Sequence, residues 1–238
     1  MALRSLESAA RAKELSIGIV MPVYNEAAIL AGALERLRFA AGGCPVVVAD
    51  GGSTDGSARI ARKVFHTELC AVASRGAQMN RGARCHGVEV LLFLHADCRL
   101  PVGFEQHIRR ALADPRVAGG CFRLSFDSPR ALLRFYCWFT KFPGRFFHFG
   151  DQGFFVRCEV FEALGGYAEL PFLEDVDFLR RLRRHGRFTV LPMAVTSSAR
   201  RFLRCGILRQ QLKNIFIVAL FELGVPARRL ARFYDHIR

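Results

Sequence analysis

Apolar residues recur along this chain in short blocks separated by helix-patterned polar stretches. Ser16-Ile-Gly-Ile-Val-Met-Pro22 is such a block, followed by a proline-containing loop and a helical pattern from Glu26 to Phe39. Pro45-Val-Val-Val-Ala-Asp50 is a second block, hydrophobic without alternation, as a parallel strand covered on both faces should be. The pattern then predicts a helix from Ser57 to about Val64, with Asp55 or Ser53 as its cap, a short strand over Leu69–Ala73, a helix over Ala77–His86 and a strand over Val90–Leu94. Strands alternating with helices imply right-handed crossovers and a mostly parallel sheet flanked by helices, an α/β fold of the Rossmann type. Ligands of such sheets bind beyond the carboxyl ends of the strands, where the polar clusters of this half fall.

The second half is less regular. Gly119–Phe126 reads as a strand, Pro129–Phe139 as an aromatic-rich helix, and Cys158–Leu164 and Glu174–His185 as two further helices. Gly206–Leu223 is helical in pattern, but its uninterrupted apolar run is only Ile215–Phe221, far short of the roughly 20 residues of a membrane span. A buried or homodimer-forming helix is the favoured reading, with a short helix after Pro226. At 238 residues, without a linker or repeat, the expectation is one domain. The pattern divides it into a regular half over 16–100, a less regular half over 101–205 and C-terminal helices over 206–238.

Composition adds three points. The first fifteen residues carry charges throughout and lack the apolar core of a secretory signal, which makes the cytoplasm the default. The eight cysteines show no zinc or disulfide spacing and read as small buried hydrophobes. The balance of 35 basic against 21 acidic residues fits a nucleic-acid footprint, attraction to an anionic membrane or substrate, or a bare preference for arginine; the spread of arginines along the chain favours the last.

Pro22-Val-Tyr-Asn-Glu26 follows the first strand and Asp50-Gly-Gly-Ser-Thr-Asp-Gly56 the second. An aromatic ring to stack on a base, acids to accept hydrogen bonds and small residues for close backbone approach together describe a nucleoside pocket. Taken alone, the second segment reads equally as a turn, since Asp, Gly, Ser and Thr dominate turns for their own reasons. Glu174-Asp175 opens a helix, where acids also collect in response to the helix dipole.

Five segments in order, Ile19-Val-Met-Pro-Val-Tyr-Asn-Glu26, Val48-Ala-Asp-Gly-Gly-Ser-Thr-Asp-Gly56, Arg75-Gly-Ala-Gln-Met-Asn80, Leu94-His-Ala-Asp97 and Glu174-Asp175, resemble the family 2 glycosyltransferases of GT-A fold over roughly residues 16 to 200. With Gly150-Asp-Gln-Gly153, the third and fourth segments resemble a bacterial subgroup associated with radical-SAM and selenium or arsenosugar gene neighbourhoods. The resemblance implies metal-dependent, inverting transfer from a nucleoside-diphosphate sugar, UDP-linked by preference, to a small-molecule or lipid-linked acceptor. It implies that Pro22, Tyr24 and Glu26 border the uridine, that Asp50 contacts the base, and that Arg75 lies beside the nucleotide or its diphosphate.

His95-Ala-Asp97 stands where the family places the Asp-X-Asp signature, so Asp97 is the implied ligand of Mn²⁺ or Mg²⁺. His95 departs from that signature, and is implied to face the phosphates or the metal's surroundings, or else to cap the strand. Asp175 is the implied general base, with Glu174 positioning it. Asp151 and Gln152 are implied on the acceptor side, and Arg200 and Arg201 over the diphosphate.

Other classes fit less well. A nucleotidyltransferase needs a Gly-rich basic loop after the first strand, where this chain has Pro-Val-Tyr-Asn-Glu. No nucleic-acid motif accompanies the basic charge, so no nucleic-acid partner is expected. Peripheral contact with a membrane, by a transferase acting on a polyprenyl phosphate, is compatible with the charge.

Overall fold

The computed structural model describes residues 14–71, 74–142, 144 and 148–233. Seven strands form one sheet in the order β3-β2-β1-β4-β6-β5-β7. They are β1 (Ile17–Val23), β2 (Val46–Asp50), β3 (His66–Leu69), β4 (Val90–Phe93), β5 (Val117–Phe126), β6 (Phe154–Arg157) and β7 (Arg187–Ser197). Helices α1 (Ala27–Ala40), α2 (Ser57–Arg62), α3 (Arg75–Ala83), α4 (Phe104–Leu112), α5 (Ala131–Phe139), α6 (Cys158–Ala163), α7 (Glu174–His185), α8 (Arg200–Cys205), α9 (Ile207–Glu222) and α10 (Ala227–Leu230) complete the order. The fold is the expected one: an α/β, mostly parallel sheet flanked by helices, with helices at the C-terminal end.

Both central strands are buried along their whole length, which is why their sequences run hydrophobic without alternation. Leu30, Leu34 and Leu37 form the buried stripe of α1 and pack on one side of the sheet with Ile19, Met21 and Val48. Val20, Leu91 and Phe93 point to the other side, against Met79, Phe161 and Phe178. Each such side chain contributes about 1.5–3 kcal/mol on burial. Gly82 lets α3 lie directly on β1, since a Cβ there would fall 2.5 Å from Val20 Cγ1.

Four local expectations need correction. The third strand is His66–Leu69, three residues earlier than expected. It is a polar edge strand, selected by its ladder with Val47–Asp50 and not by its own hydrophobicity; Val72 and Ala73 lie outside the described residues. The cap of α2 is Gly56, at φ 90, with no side-chain cap hydrogen bond. The helix expected over Ala77–His86 spans Arg75–Ala83, so Arg75 opens it. β7 has no counterpart in the pattern reading, because Pro192 interrupts it: the ladder pairs Phe122 with Leu191 and then Arg123 with Ala194, so Pro192 and Met193 bulge from an edge strand.

β1, β2, β3 and β4 run parallel, β6 runs antiparallel between β4 and β5, and β5 is parallel to β7. The carboxyl ends of β1, β2, β4 and β7 therefore share one edge of the sheet with the amino end of β6. The polar motifs after β1, β2 and β4 and the Gly150–Gly153 turn before β6 meet the sheet at that edge.

Candidate functional site

Two loops build one wall. Asn25 sits in the left-handed region at φ 52, which asparagine tolerates. From there its Oδ1 accepts the Thr54 N–H at 2.9 Å and its own N–H donates to Ser53 Oγ at 2.9 Å. The Glu26 N–H donates to Ser57 Oγ and the Ala27 N–H to Asp55 Oδ2, both at 2.9 Å. Asn25, Ser53, Asp55 and Ser57 are thus spent on joining the loop after β1 to the loop after β2. Tyr24 and Glu26 stand partly exposed beside them.

Asp50 closes β2 with no exposed surface. Its Oδ1 accepts the N–H groups of Gly52 and Ser53 at 3.0 and 2.8 Å, while its buried Oδ2 has no hydrogen-bond partner. A buried carboxylate oxygen without a donor is costly, and a ligand N–H would satisfy it.

The third motif works as a clamp. Gln78, buried in α3, donates through Nε2 to Val23 O at 2.6 Å and Ala49 O at 2.8 Å, pinning the ends of β1 and β2 together. Asn80 exchanges two 2.8 Å hydrogen bonds with the backbone of Tyr167. Gly76 gives the space for that approach, because a Cβ there would lie 2.7 Å from Ala168 O. Arg75 pairs with Glu174 at 3.2 Å. These side-chain roles were not read from the sequence, where Arg75 alone carried an expectation; the glycine and the two amides in an otherwise helical segment were the available signal.

At the centre, His95, Asp97 and Cys98 present ligand atoms within 4.8 Å of one another. Cys98 is a buried thiol, 3.7 Å from Asp97 Oδ1 and 3.4 Å from the Asp151 carbonyl, and it too was missed by pattern reading. Burial, with Asp97 and Asp151 adding to it, pushes its thiol well up. His95 is held well below its usual value by burial and by the charges of Arg75 and Arg201, so the imidazole stays neutral and able to bind a cation.

Asp151 brings a further carboxylate. Burial, then the charges of Asp175 and Asp97, push it up to about 7 against the pull of Arg201, and its buried Oδ1 has no partner. Asp175 is partly exposed, and its Oδ2 accepts the Gly150 N–H at 2.6 Å. A Cβ on Gly150 would come within 3.1 Å of the His95 ring and 3.2 Å of Asp175 Oδ2, so the glycine keeps a space open between them. Three carboxylates, one of them with an unpartnered oxygen, and a neutral imidazole within the field of Arg75 and Arg201 form a donor set that fits a divalent cation carrying phosphate oxygens.

Glu174 is almost fully buried. Burial raises its carboxyl although Arg75 opposes the rise. Asp177, two residues on, ties Arg180 at 3.0 Å and Arg181 at 2.8 Å within α7 and does not join the cluster. Arg200 reaches Glu26 at 3.8 Å. Arg200 therefore faces the loop after β1, and Arg201 faces His95 and the carboxylates.

Gln152 departs from its expected place on the acceptor side. It is fully buried, with Oε1 2.8 Å from His148 Nδ1 and 3.4 Å from the Cys121 thiol, so it holds the 150–152 turn to the core. Of the aromatic residues on and after the aromatic-rich helix, Phe135, Trp138 and Phe142 are exposed; Phe146 and Phe147 lie outside the described residues.

The model of the family described as glycosyl transferase family 2 matches residues 18–163. No curated protein matches the chain. Among solved structures, the mannosyltransferase PcManGT from Pyrobaculum calidifontis, in complex with GDP-Man and Mn²⁺, aligns with a TM-score of 0.62 at 20% identity over 88% of this chain and 65% of that one. TarS from S. aureus aligns at 0.65 and 13% identity over 91% of this chain and 41% of that one. Its 1–349 portion in complex with UDP-GlcNAc aligns at 0.60 and 16%, over 77% of this chain and 58% of that one. This chain spans less than two thirds of the length of each of these three, and at such identities the likeness establishes a shared fold.

Proposed function

The chain belongs to glycosyl transferase family 2, and from that membership we infer inverting transfer of a sugar from a nucleoside-diphosphate donor to a hydroxyl acceptor at the cleft described above. The observation that carries this reading is the cluster of Asp97, Asp151, Asp175 and neutral His95 between Arg75 and Arg201. Asp97 and His95 would hold a divalent cation, with Asp151 beside them; an imidazole in the set favours Mn²⁺ over Mg²⁺. Bound there, the ion would supply positive charge to the departing diphosphate.

The chain's own residues do the rest. Pro22, Tyr24 and Glu26 border the base, and Arg75, Arg200 and Arg201 add charge along the phosphates. Asp175 accepts the acceptor's hydroxyl proton as that oxygen attacks the anomeric carbon, on the face opposite the leaving group. Its Oδ2 is oriented by the Gly150 N–H, and Glu174 fixes the start of α7 through Arg75. The resemblance to the radical-SAM-associated subgroup supports a small-molecule acceptor or a lipid-linked one, and eight free thiols suit a reducing cytoplasm.

Donor hydrolysis measured with Mn²⁺, with Mg²⁺ and with EDTA tests the reading. Activity should depend on the cation, and Asp97→Ala should lose cation-dependent donor binding while keeping its fold. Hydrolysis undiminished by EDTA would overturn it.

Asp50 supports a uridine donor. With Oδ1 engaged by two backbone N–H groups, only Oδ2 is free; one acceptor matches the single N3–H of uracil better than the paired N–H donors of guanine. Calorimetry should show UDP binding more tightly than GDP, and the reverse order would refute the assignment.

A further inference from the structure

Between Asp127 and Asp151 the chain has four basic residues, Arg130, Arg134, Lys141 and Arg145, and no acidic one. From Ser198 to Phe221 it has five, Arg200, Arg201, Arg204, Arg209 and Lys213, again without an acid. Nine of the formal net charge of +14 thus fall in two short stretches. The fold brings those stretches together. Leu133 of α5 packs with Ala199 and Phe202 at α8 and with Ile207 at the start of α9, and the Tyr136 ring lies 6.1 Å from that of Phe202.

The adjoining helices leave apolar stripes uncovered. On α5 they are Leu132, Phe135 (63% exposed) and Trp138 (51%); on α9 they are Leu208, Leu212 (67%) and Ile215, with Phe216 beside them. Spacings of three and four residues put each set on one side of its helix. The only tryptophan of the chain lies among them, with Lys141 Nζ 3.8 Å from its ring centroid. No helix of the described residues is long and apolar enough to cross a membrane.

We propose that this basic, apolar face formed by α5 and α9 docks on an anionic lipid bilayer. Rings and leucines enter the interfacial layer while arginine and lysine meet the headgroups. Charge decides between occupants: a second copy would set the same arginines against themselves, whereas anionic headgroups neutralise them. The face also borders the cleft. Tyr136 and Cys137 of α5 both lie within the field of Asp151, and α8 begins with Arg200 and Arg201. Resting on the transfer reading above, the acceptor hydroxyl or phosphate is then one presented from the bilayer.

Trp138 serves as the probe. The full chain, mixed with phosphatidylcholine vesicles containing phosphatidylglycerol, should co-sediment and show blue-shifted tryptophan emission, both reversed by high salt. Phosphatidylcholine alone should give neither. Leu212→Ser with Phe135→Ser, and separately Arg134→Glu with Arg209→Glu, should lower the vesicle-bound fraction several-fold while donor hydrolysis in vesicle-free buffer stays unchanged. Failure to bind anionic vesicles overturns the proposal, as does equal binding to neutral ones. Doubled mass in sedimentation equilibrium, with Trp138 already blue-shifted before lipid is added, identifies a second copy as the occupant and also overturns it. Hydrolysis by a chain that ignores vesicles removes the docking face and leaves the transfer reading intact; vesicle binding by a chain that hydrolyses no donor does the opposite.

Discussion

Asp175 and Asp177 are neighbours on α7 with opposite employments. Asp175 opens into the space kept by Gly150, while Asp177 is closed in by Arg180 and Arg181. A positioned base contributes about 10²- to 10⁴-fold to rate, so Asp175→Asn should lower turnover by that order and leave donor affinity within a few-fold. Asp177→Asn should lower the melting temperature and keep turnover. Asp151 is the rival, since a carboxyl pushed up to about 7 is itself poised near neutrality. Turnover near wild type in Asp175→Asn, together with its loss in Asp151→Asn, transfers the role to Asp151.

Among elements, α3 does much with little hydrophobicity. Its Gln78 amide lies against the Gly51 backbone, since a Cβ on Gly51 would come 2.9 Å from Gln78 Cδ, and it joins β1 to β2 where both nucleoside loops begin. Gln78→Leu keeps the volume and removes both donors. It should destabilise the protein by about 1–3 kcal/mol, because buried carbonyls lose their partner, and should weaken nucleotide binding as the loops loosen. Equal urea midpoints for variant and wild type would show that the amide is dispensable. Helix α9 shows the other extreme: its hydrophobic pattern suggested burial, yet among its residues only Gln210, Ile217 and Val218 are buried. Periodicity reports that a face is apolar, and not what covers it.

Over the whole molecule, two histidines away from the cation cluster, half-buried His86 and buried His148, contribute to the response to acid. Burial lowers His86, whose Nε2 donates to Ile19 O while its ring fills the space beside Gly18, and burial likewise lowers His148. A histidine depressed in the folded state takes up its proton more readily when unfolded, so its stabilising effect is complete above the unfolded value of 6.5 and declines as pH falls below it. Each group contributes a slope of at most about 1.4 kcal/mol per pH unit in that window. Asp151, with its carboxyl raised to about 7, gains stability as pH falls through the same window, so the histidine contribution is read as a difference: between pH 7 and 5.5 the urea midpoint of the wild type should fall relative to that of a His86→Gln, His148→Gln variant. Parallel midpoints for the two chains would contradict the assignment.

The sequence by itself determined the parallel core and the loops that carry chemistry. A strand buried on both faces must be hydrophobic at every position, as Val46–Ala49 is, and loops after such strands must be small and polar, as Asp50–Gly56 is. Both requirements are local and leave a local trace. Only the tertiary structure decided that Asp151 joins Asp97 and Asp175, that Gln152 turns inward, that Cys98 borders the cation cluster and that two basic stretches of the chain meet at α5 and α8. Those arrangements follow from the antiparallel insertion of β6 and the bulged edge strand β7. Ladder pairing between segments distant in the chain selects both, and no single stretch of sequence encodes such a pairing.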